Sequence, residues 1–214
     1  MGEVLPLALG IAASPFPVIP AILLLFTDRA RAAAWSFLLG WIVGIALAAG
    51  VFTLLAEVVD QTQDTPTWAA WLRIVAGVAL IAYGVKQWLG RGAASEQPAW
   101  MRSISSATPA SAFRLALLLS AANPKVLLLA AAAGLAIGSD DFTAQGDAIA
   151  VVLFTLVASV SVAVPVLAYT VLGERVLGPL GVARDWLERN NAAVMAVVLV
   201  VIGLLLLQKG VLGL

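Results

Sequence analysis

Two long apolar segments of this chain are interrupted by proline at corresponding places in its two halves. Ser14 precedes Pro15 and Pro17 in the first segment, and Asn123 precedes Pro124 in the second. Pro15 and Pro124 lie 109 positions apart in a chain of 214 residues, so each interruption sits at nearly the same depth in its half. This pairing limits the folds open to the chain more than any other feature of the sequence.

A proline removes a backbone donor and clashes with the carbonyl group four residues earlier, so a helix that contains it breaks or bends. In hydrocarbon the freed carbonyl groups need partners, and broken backbone is tolerated only against protein or a water-filled cavity. Corresponding interruptions in two halves of a membrane chain point to the binding site of a transporter. The sequence therefore predicts a small membrane transporter.

The composition supports a membrane protein and excludes several kinds of catalytic site. Hydrophobic residues make up 62% of the chain and charged residues 11%, whereas an ordinary soluble domain has about 25% charged residues. The formal net charge is zero, so nothing indicates a nucleic-acid partner. The absence of cysteine and histidine removes thiolate and imidazole chemistry. We expect no enzymatic activity, no bound metal and no cofactor.

Six stretches are long and apolar enough to cross a bilayer, which takes about 20 residues. We therefore predict an all-α integral membrane protein with six transmembrane helices, of which the first and fourth are broken by proline. The predicted spans cover about residues 4–26, 33–57, 68–89, 110–138, 148–172 and 190–212.

The charges between the spans predict which side of the membrane each connection faces. Nine of the twelve basic residues flank the first, third and fifth connections. They are Arg29, Arg31, Lys86, Arg91, Arg102, Arg114, Arg175, Arg184 and Arg189. By the positive-inside rule these connections are cytoplasmic, so both termini are extracytoplasmic. This orientation also gives the two three-span halves opposite directions in the plasma membrane, as an inverted repeat requires.

We expect one membrane domain over residues 1–214. The first repeat covers about residues 1–89, and the second about residues 110–214. Residues 90–109 between them are rich in serine and alanine and form a cytoplasmic linker.

Lys125 is the one basic residue predicted near mid-membrane. A charge at that depth costs at least about 2.5 kcal/mol and usually marks a pathway or a counter-ion. No acidic residue is predicted at the same depth, which favours contact with an anionic headgroup; the alternative is a lysine that reaches a nearer surface along its flexible stem. A helix restarting after Pro124 would also offer free N–H groups to an anion, although a simple kink is the alternative there. The candidate substrate-binding residues are Ser14, Pro15, Pro17, Asn123, Pro124 and Lys125.

Other polar and small residues in the spans have structural interpretations. Ser159 and Ser161 are expected to bond backbone carbonyl groups of their own helix. The G-x-x-x-G motifs at 40–44 and 134–138 allow close helix contacts, either within one chain or between the two copies of a homodimer.

A set of motifs spread over nearly the whole chain follows the pattern of one known family. The motifs are Ser14-Pro15-Phe16-Pro17, Ala21–Phe26, the Arg29/Arg31 turn, Phe37-Leu38-Leu39-Gly40-Trp41, Asn123-Pro124-Lys125, and Val201-Ile202-Gly203-Leu204 to Lys209-Gly210. With them the chain resembles the lysine-exporter (LysE) superfamily, and within it the GAP family of peptidoglycolipid or sulfolipid addressing proteins.

The resemblance implies a six-span inverted-repeat fold and the export or flipping of a glycolipid, or its lipid-linked precursor, across an actinobacterial-type plasma membrane. It supports Pro15, Pro17, Asn123, Pro124 and Lys125 as motif positions. The expected partners are a lipid or glycolipid substrate and the bilayer. Two other functions stay open: export of small amphipathic solutes such as amino acids, and a non-transporting membrane scaffold for envelope enzymes.

The predicted topology can be tested with the single substitutions Ala94→Cys and Asp141→Cys, because the chain has no cysteine of its own. An impermeant thiol reagent applied to intact cells should label position 141, in the acidic fourth connection, and leave position 94 unlabelled. Permeabilised cells, in which both positions should react, are the control. Labelling at 94 but not at 141 would overturn the topology.

Overall fold

The protein is helical throughout most of its computed structural model, which describes residues 4–60, 67–90, 104, 107–121, 123–139 and 143–212. No strand occurs within these residues, so the all-α prediction is confirmed for them. Most of the predicted linker, 90–109, lies outside the described residues. The helices are α1 (Val4–Ala12), α2 (Pro15–Leu24), α3 (Ala30–Asp60), α4 (Thr67–Leu89), α5 (Pro109–Ala121), α6 (Pro124–Gly138), α7 (Ala144–Leu172), a 3-10 turn (Gly173–Val176) and α8 (Leu177–Leu212).

The two proline interruptions are helix starts with nearly identical backbone geometry. Ser14 precedes α2 with φ −77° and ψ 121°, and Asn123 precedes α6 with φ −79° and ψ 112°. Proline occupies the start of both helices, where its missing N–H group leaves no helical hydrogen bond unmade and its fixed φ suits the helix. Each interruption is therefore a restart of the helix at a proline, although only Asn123 caps its helix with a side-chain hydrogen bond and Ser14 does not.

The helices on either side of each interruption form a bent pair, with angles of 47° between α1 and α2 and 66° between α5 and α6. Among the described residues, Ala30–Ala56 and the 69-residue stretch Ala144–Leu212 are long and apolar enough to cross a membrane, and the number rises to four if each bent pair is one span. A straight helix of that length would measure about 100 Å, more than three times the hydrocarbon thickness, so this stretch is long enough for more than one crossing. The six-span inverted repeat therefore stays a prediction.

Each bent pair packs mainly against helices from the other half of the chain. α5 and α6 lie along α3, whereas α1 lies along α7, and α2 contacts α8 and α7. The last helix of each half completes the bundle. These two helices, α4 and α8, pack along each other. This crossed packing places Ser14 and Lys125, which flank the two interruptions, in the protein interior.

The two G-x-x-x-G motifs make contacts within the chain. A methyl group added at Gly44 would collide with the hydroxyl group of Ser120 on α5, and one added at Gly134 of α6 would collide with the carbonyl oxygen of Ala49 on α3. The small residues thus let α3 approach α5 and α6 closely. The motifs are used inside one copy and give no support to the predicted homodimer.

We expect Gly134→Ala to destabilise the protein. The added methyl group meets the backbone of α3, and overpacking of this kind costs about 1–3 kcal/mol. Gly50→Ala is the matched control, because nothing lies within 4 Å of the position that its methyl group would take. Thermal unfolding of the purified variants in detergent measures the difference, and equal midpoints for the two variants would contradict the described packing.

Candidate functional site

Side chains from both interruptions contact one sulfur atom. Ser14 Oγ lies 3.5 Å from Met195 Sδ, and Lys125 Nζ lies 3.8 Å from the same atom. Ser14 stands between α1 and α2, Lys125 lies in the first turn of α6, and Met195 lies on α8. The exposed fractions of the three residues are 1%, 3% and 8%. We call these three residues the Met195 cluster.

The ammonium group of Lys125 has a poor partner for a buried charge. A thioether sulfur is a weak acceptor, and within the described residues it is the only group that Nζ donates to. No carboxylate of the described chain forms an ion pair with Lys125. A buried ion without a counter-charge is unfavourable, and binding an anion would relieve that cost.

The start of α6 satisfies part of its own backbone. The Asn123 side chain accepts a hydrogen bond from the Lys125 N–H group at 3.1 Å, and the Asn123 carbonyl group accepts one from the Leu127 N–H group at 2.9 Å. Asn123 therefore acts as the cap of α6. The Lys125 N–H group is thus already bonded and is not free to bind an anion, so the expected anion contact rests on the Lys125 side chain.

The prolines do not share one environment. Pro15 and Pro17 are buried, Asn123 is half-buried, and Pro124 is exposed. Pro124 thus shapes the site by starting α6 at the bundle surface, and its ring does not join the Met195 cluster. Of the six predicted site residues, the structure brings together Ser14 and Lys125 through Met195.

The long helices α3 and α7 carry buried donors with no partner in the described part of the chain. These are the indole N–H group of Trp41 and the hydroxyl groups of Ser159 and Ser161. The expectation that both serines bond their own backbone is wrong. Thr155 on the same helix does so, donating to the Val151 carbonyl group at 2.8 Å.

Two buried residues escape prediction from the sequence. Met195 lies in a plain apolar run, and only the tertiary packing of α8 brings it to both interruptions. Asp147 is predicted in the fourth connection, but α7 begins at Ala144 and buries it to 7% exposure in the first turn. Thr143, which accepts from the Gly146 N–H group at 3.3 Å, is the capping signal for this earlier start.

The chain matches one protein-family model, described as Sap, sulfolipid-1-addressing protein (SfLAP), over residues 4–212. No curated protein and no solved structure matches it. The family match supports the resemblance to the lipid-addressing proteins, and membership of the wider lysine-exporter superfamily stays a prediction.

We expect Lys125→Met to leave the fold intact and to raise the thermal unfolding midpoint. The substitution removes a buried charge that has no counter-ion in the described chain, so the cost of desolvating that charge on folding is lost. Lys86→Met, at an exposed position on α4, is the control and should leave the midpoint unchanged. A marked loss of stability confined to Lys125→Met would show that the ammonium group is satisfied in the resting protein.

Proposed function

Because the chain belongs to the sulfolipid-1-addressing protein family, which indicates a role in lipid transport or addressing, we propose that it exports or flips an anionic glycolipid across the plasma membrane. A lipid-linked precursor of such a molecule is included in the proposal. The observation that carries it is the Lys125 ammonium group, which is buried at a helix restart and, within the described residues, donates only to a thioether.

An anionic headgroup supplies what the Met195 cluster lacks. Sulfate and phosphate oxygens are strong acceptors for an ammonium group, and charge-assisted hydrogen bonds of this kind are among the stronger ones in proteins. Ser14 Oγ lies across the same sulfur atom and can donate to a second headgroup oxygen. The site is therefore suited to bind an anion for part of a transport cycle.

The surface at the start of α6 favours a lipid over a free solute. Pro124, Leu127 and Leu128 are exposed, whereas Lys125 between them points into the bundle. A headgroup that enters beside this helix start would reach Nζ, while its acyl chains stay against the exposed leucines in the bilayer. A closed, water-sized cavity would instead suit the export of small solutes.

Alternating access by two inverted halves would move the headgroup across. Two features support this motion: the restarts at Ser14 and Asn123 have matching backbone angles, and each bent pair packs on helices of the other half. Rocking of one half against the other would open the Met195 cluster first to one leaflet and then to the other.

Proteoliposomes that contain sulfatide, a sulfated galactolipid, test the proposal. Headgroup movement is read as the fraction of sulfatide accessible to external arylsulfatase. Lys125→Met should abolish the movement, and Lys125→Arg should keep part of it, because the charge survives but its geometry changes. Lys86→Met is the matched control and should retain full activity.

Full activity of a folded Lys125→Met protein would end the assignment of Lys125 as the anion contact. Movement of a free amino acid by the wild-type protein, with no movement of sulfatide, would overturn the lipid substrate and favour solute export.

A further inference from the structure

A groove of about 630 Å³ opens at the end of the bundle where α2 turns into α3. Its walls are residues 25–32, with Tyr169 of α7, Glu174 of the 3-10 turn and the first residue of α8 opposite them. None of the Met195 cluster residues lines it. The groove is thus a separate cavity, and its size falls within the range of about 300–1,000 Å³ typical of sites for small ligands.

The groove carries charges of both signs that are not paired with one another. Arg29 and Arg31 lie on one wall with Asp28, and Glu174 lies on the other; all four residues are exposed. Within the described chain no ion pair joins them. Arg31 makes one long hydrogen bond, 3.4 Å from Nη2 to the Thr170 carbonyl oxygen. Apart from that bond, the two guanidinium groups and the two carboxylates have no hydrogen-bond or ion-pair partner within the described residues and can bind a ligand.

The residues around the groove are of the kinds typical of the level of lipid headgroups. It lies at the ends of apolar helices, and the ring of Phe26 at its edge is 49% exposed beside Gly181 of α8. Trp35, one turn further along α3, is also exposed and donates to Thr170 Oγ1 at 3.1 Å. Amphipathic aromatic side chains are typical of the membrane interface.

We propose that this groove is a second binding site, which takes the sulfated or phosphorylated sugar headgroup of a lipid and loads it toward Lys125. The inference rests on the proposed function and adds where the substrate first binds. Guanidinium groups bind sulfate and phosphate oxygens through paired hydrogen bonds. The carboxylates of Asp28 and Glu174 can accept from sugar hydroxyl groups, which a lipid with a bare anionic headgroup lacks.

A fluorescent reporter inside the groove can detect this binding. Ala32 lines the groove and is exposed, and the chain has no other cysteine, so Ala32→Cys labelled with an environment-sensitive dye reports on the site alone. The labelled protein is placed in phosphatidylcholine nanodiscs with increasing fractions of sulfatide, uncharged galactosylceramide or phosphatidic acid, whose headgroup is a bare phosphate. Sulfatide should give a saturable signal at the lowest fraction. Soluble galactose 3-sulfate separates headgroup binding from a need for the lipid tails.

Charge substitutions identify the groups that bind. Arg29→Gln with Arg31→Gln should raise the half-saturating sulfatide fraction about tenfold, because charge-assisted hydrogen bonds are lost. Asp28→Ala with Glu174→Ala should remove the preference for sulfatide over phosphatidic acid, because the acceptors for the sugar hydroxyl groups are lost. The control, Lys86→Gln, is an exposed cation outside the groove and should change neither quantity.

The outcome distinguishes this inference from the proposed function. Lys125→Met should keep the groove signal while losing sulfatide movement in proteoliposomes. An unchanged sulfatide titration in the double arginine variant, or an equal loss in Lys86→Gln, would overturn the groove site and leave the proposed function standing. A normal groove signal without any headgroup movement by the wild-type protein would overturn the proposed function instead. A signal with a cytoplasmic peptide but with no glycolipid would reassign the groove to a protein partner.

Discussion

A membrane interior offers no hydrogen-bond partner to a backbone group that leaves its helix, and this constraint determines how the chain can be interrupted. The protein meets it by restarting each broken helix with a proline, which has no N–H group to satisfy. Ser14 and Asn123 precede the two restarts with the same extended backbone geometry, and the Asn123 side chain also caps α6. Glycine contacts then let α3 pack closely on α5 and α6, so that the second interruption has protein beside it.

The second restart also determines where the buried charge of Lys125 lies. Lys125 follows directly after the second restart, and its position in the first turn of α6 directs Nζ to Met195 and away from the surface. Under the two proposals, one headgroup binds first to the exposed arginines of the groove and then to the buried ammonium group. The groove arginines are exposed, so solvent screens their charge and binding there is weak. At Lys125 no counter-ion lies within the described residues, so a bound anionic ligand would have to supply the opposite charge.

The sequence predicts the two helix restarts well, because each restart depends on residues that are close together in the chain. The positions of both restarts follow from Ser14-Pro15 and Asn123-Pro124, and the apolar runs predict the helical class. Helix starts are less well predicted, since α7 and α8 begin before the predicted spans, at Ala144 and Leu177. A capped helix can propagate through polar residues before it reaches the apolar core. Met195 could not be predicted, because its role arises only where α8 crosses both restarts.

The central claim is that Lys125 holds an anionic lipid, and lipid mass spectrometry of the purified protein tests it most directly. Wild-type and Lys125→Met proteins would be purified in parallel from cells that lack the native copy, and the envelope lipids of the same cells would be compared. The account predicts that a sulfated or phosphorylated glycolipid copurifies with the wild-type protein and is depleted from the variant protein. It also predicts that the distribution of this lipid in the envelope changes in the variant cells. Equal retention of that lipid by both proteins, with unchanged envelope lipids, would contradict it.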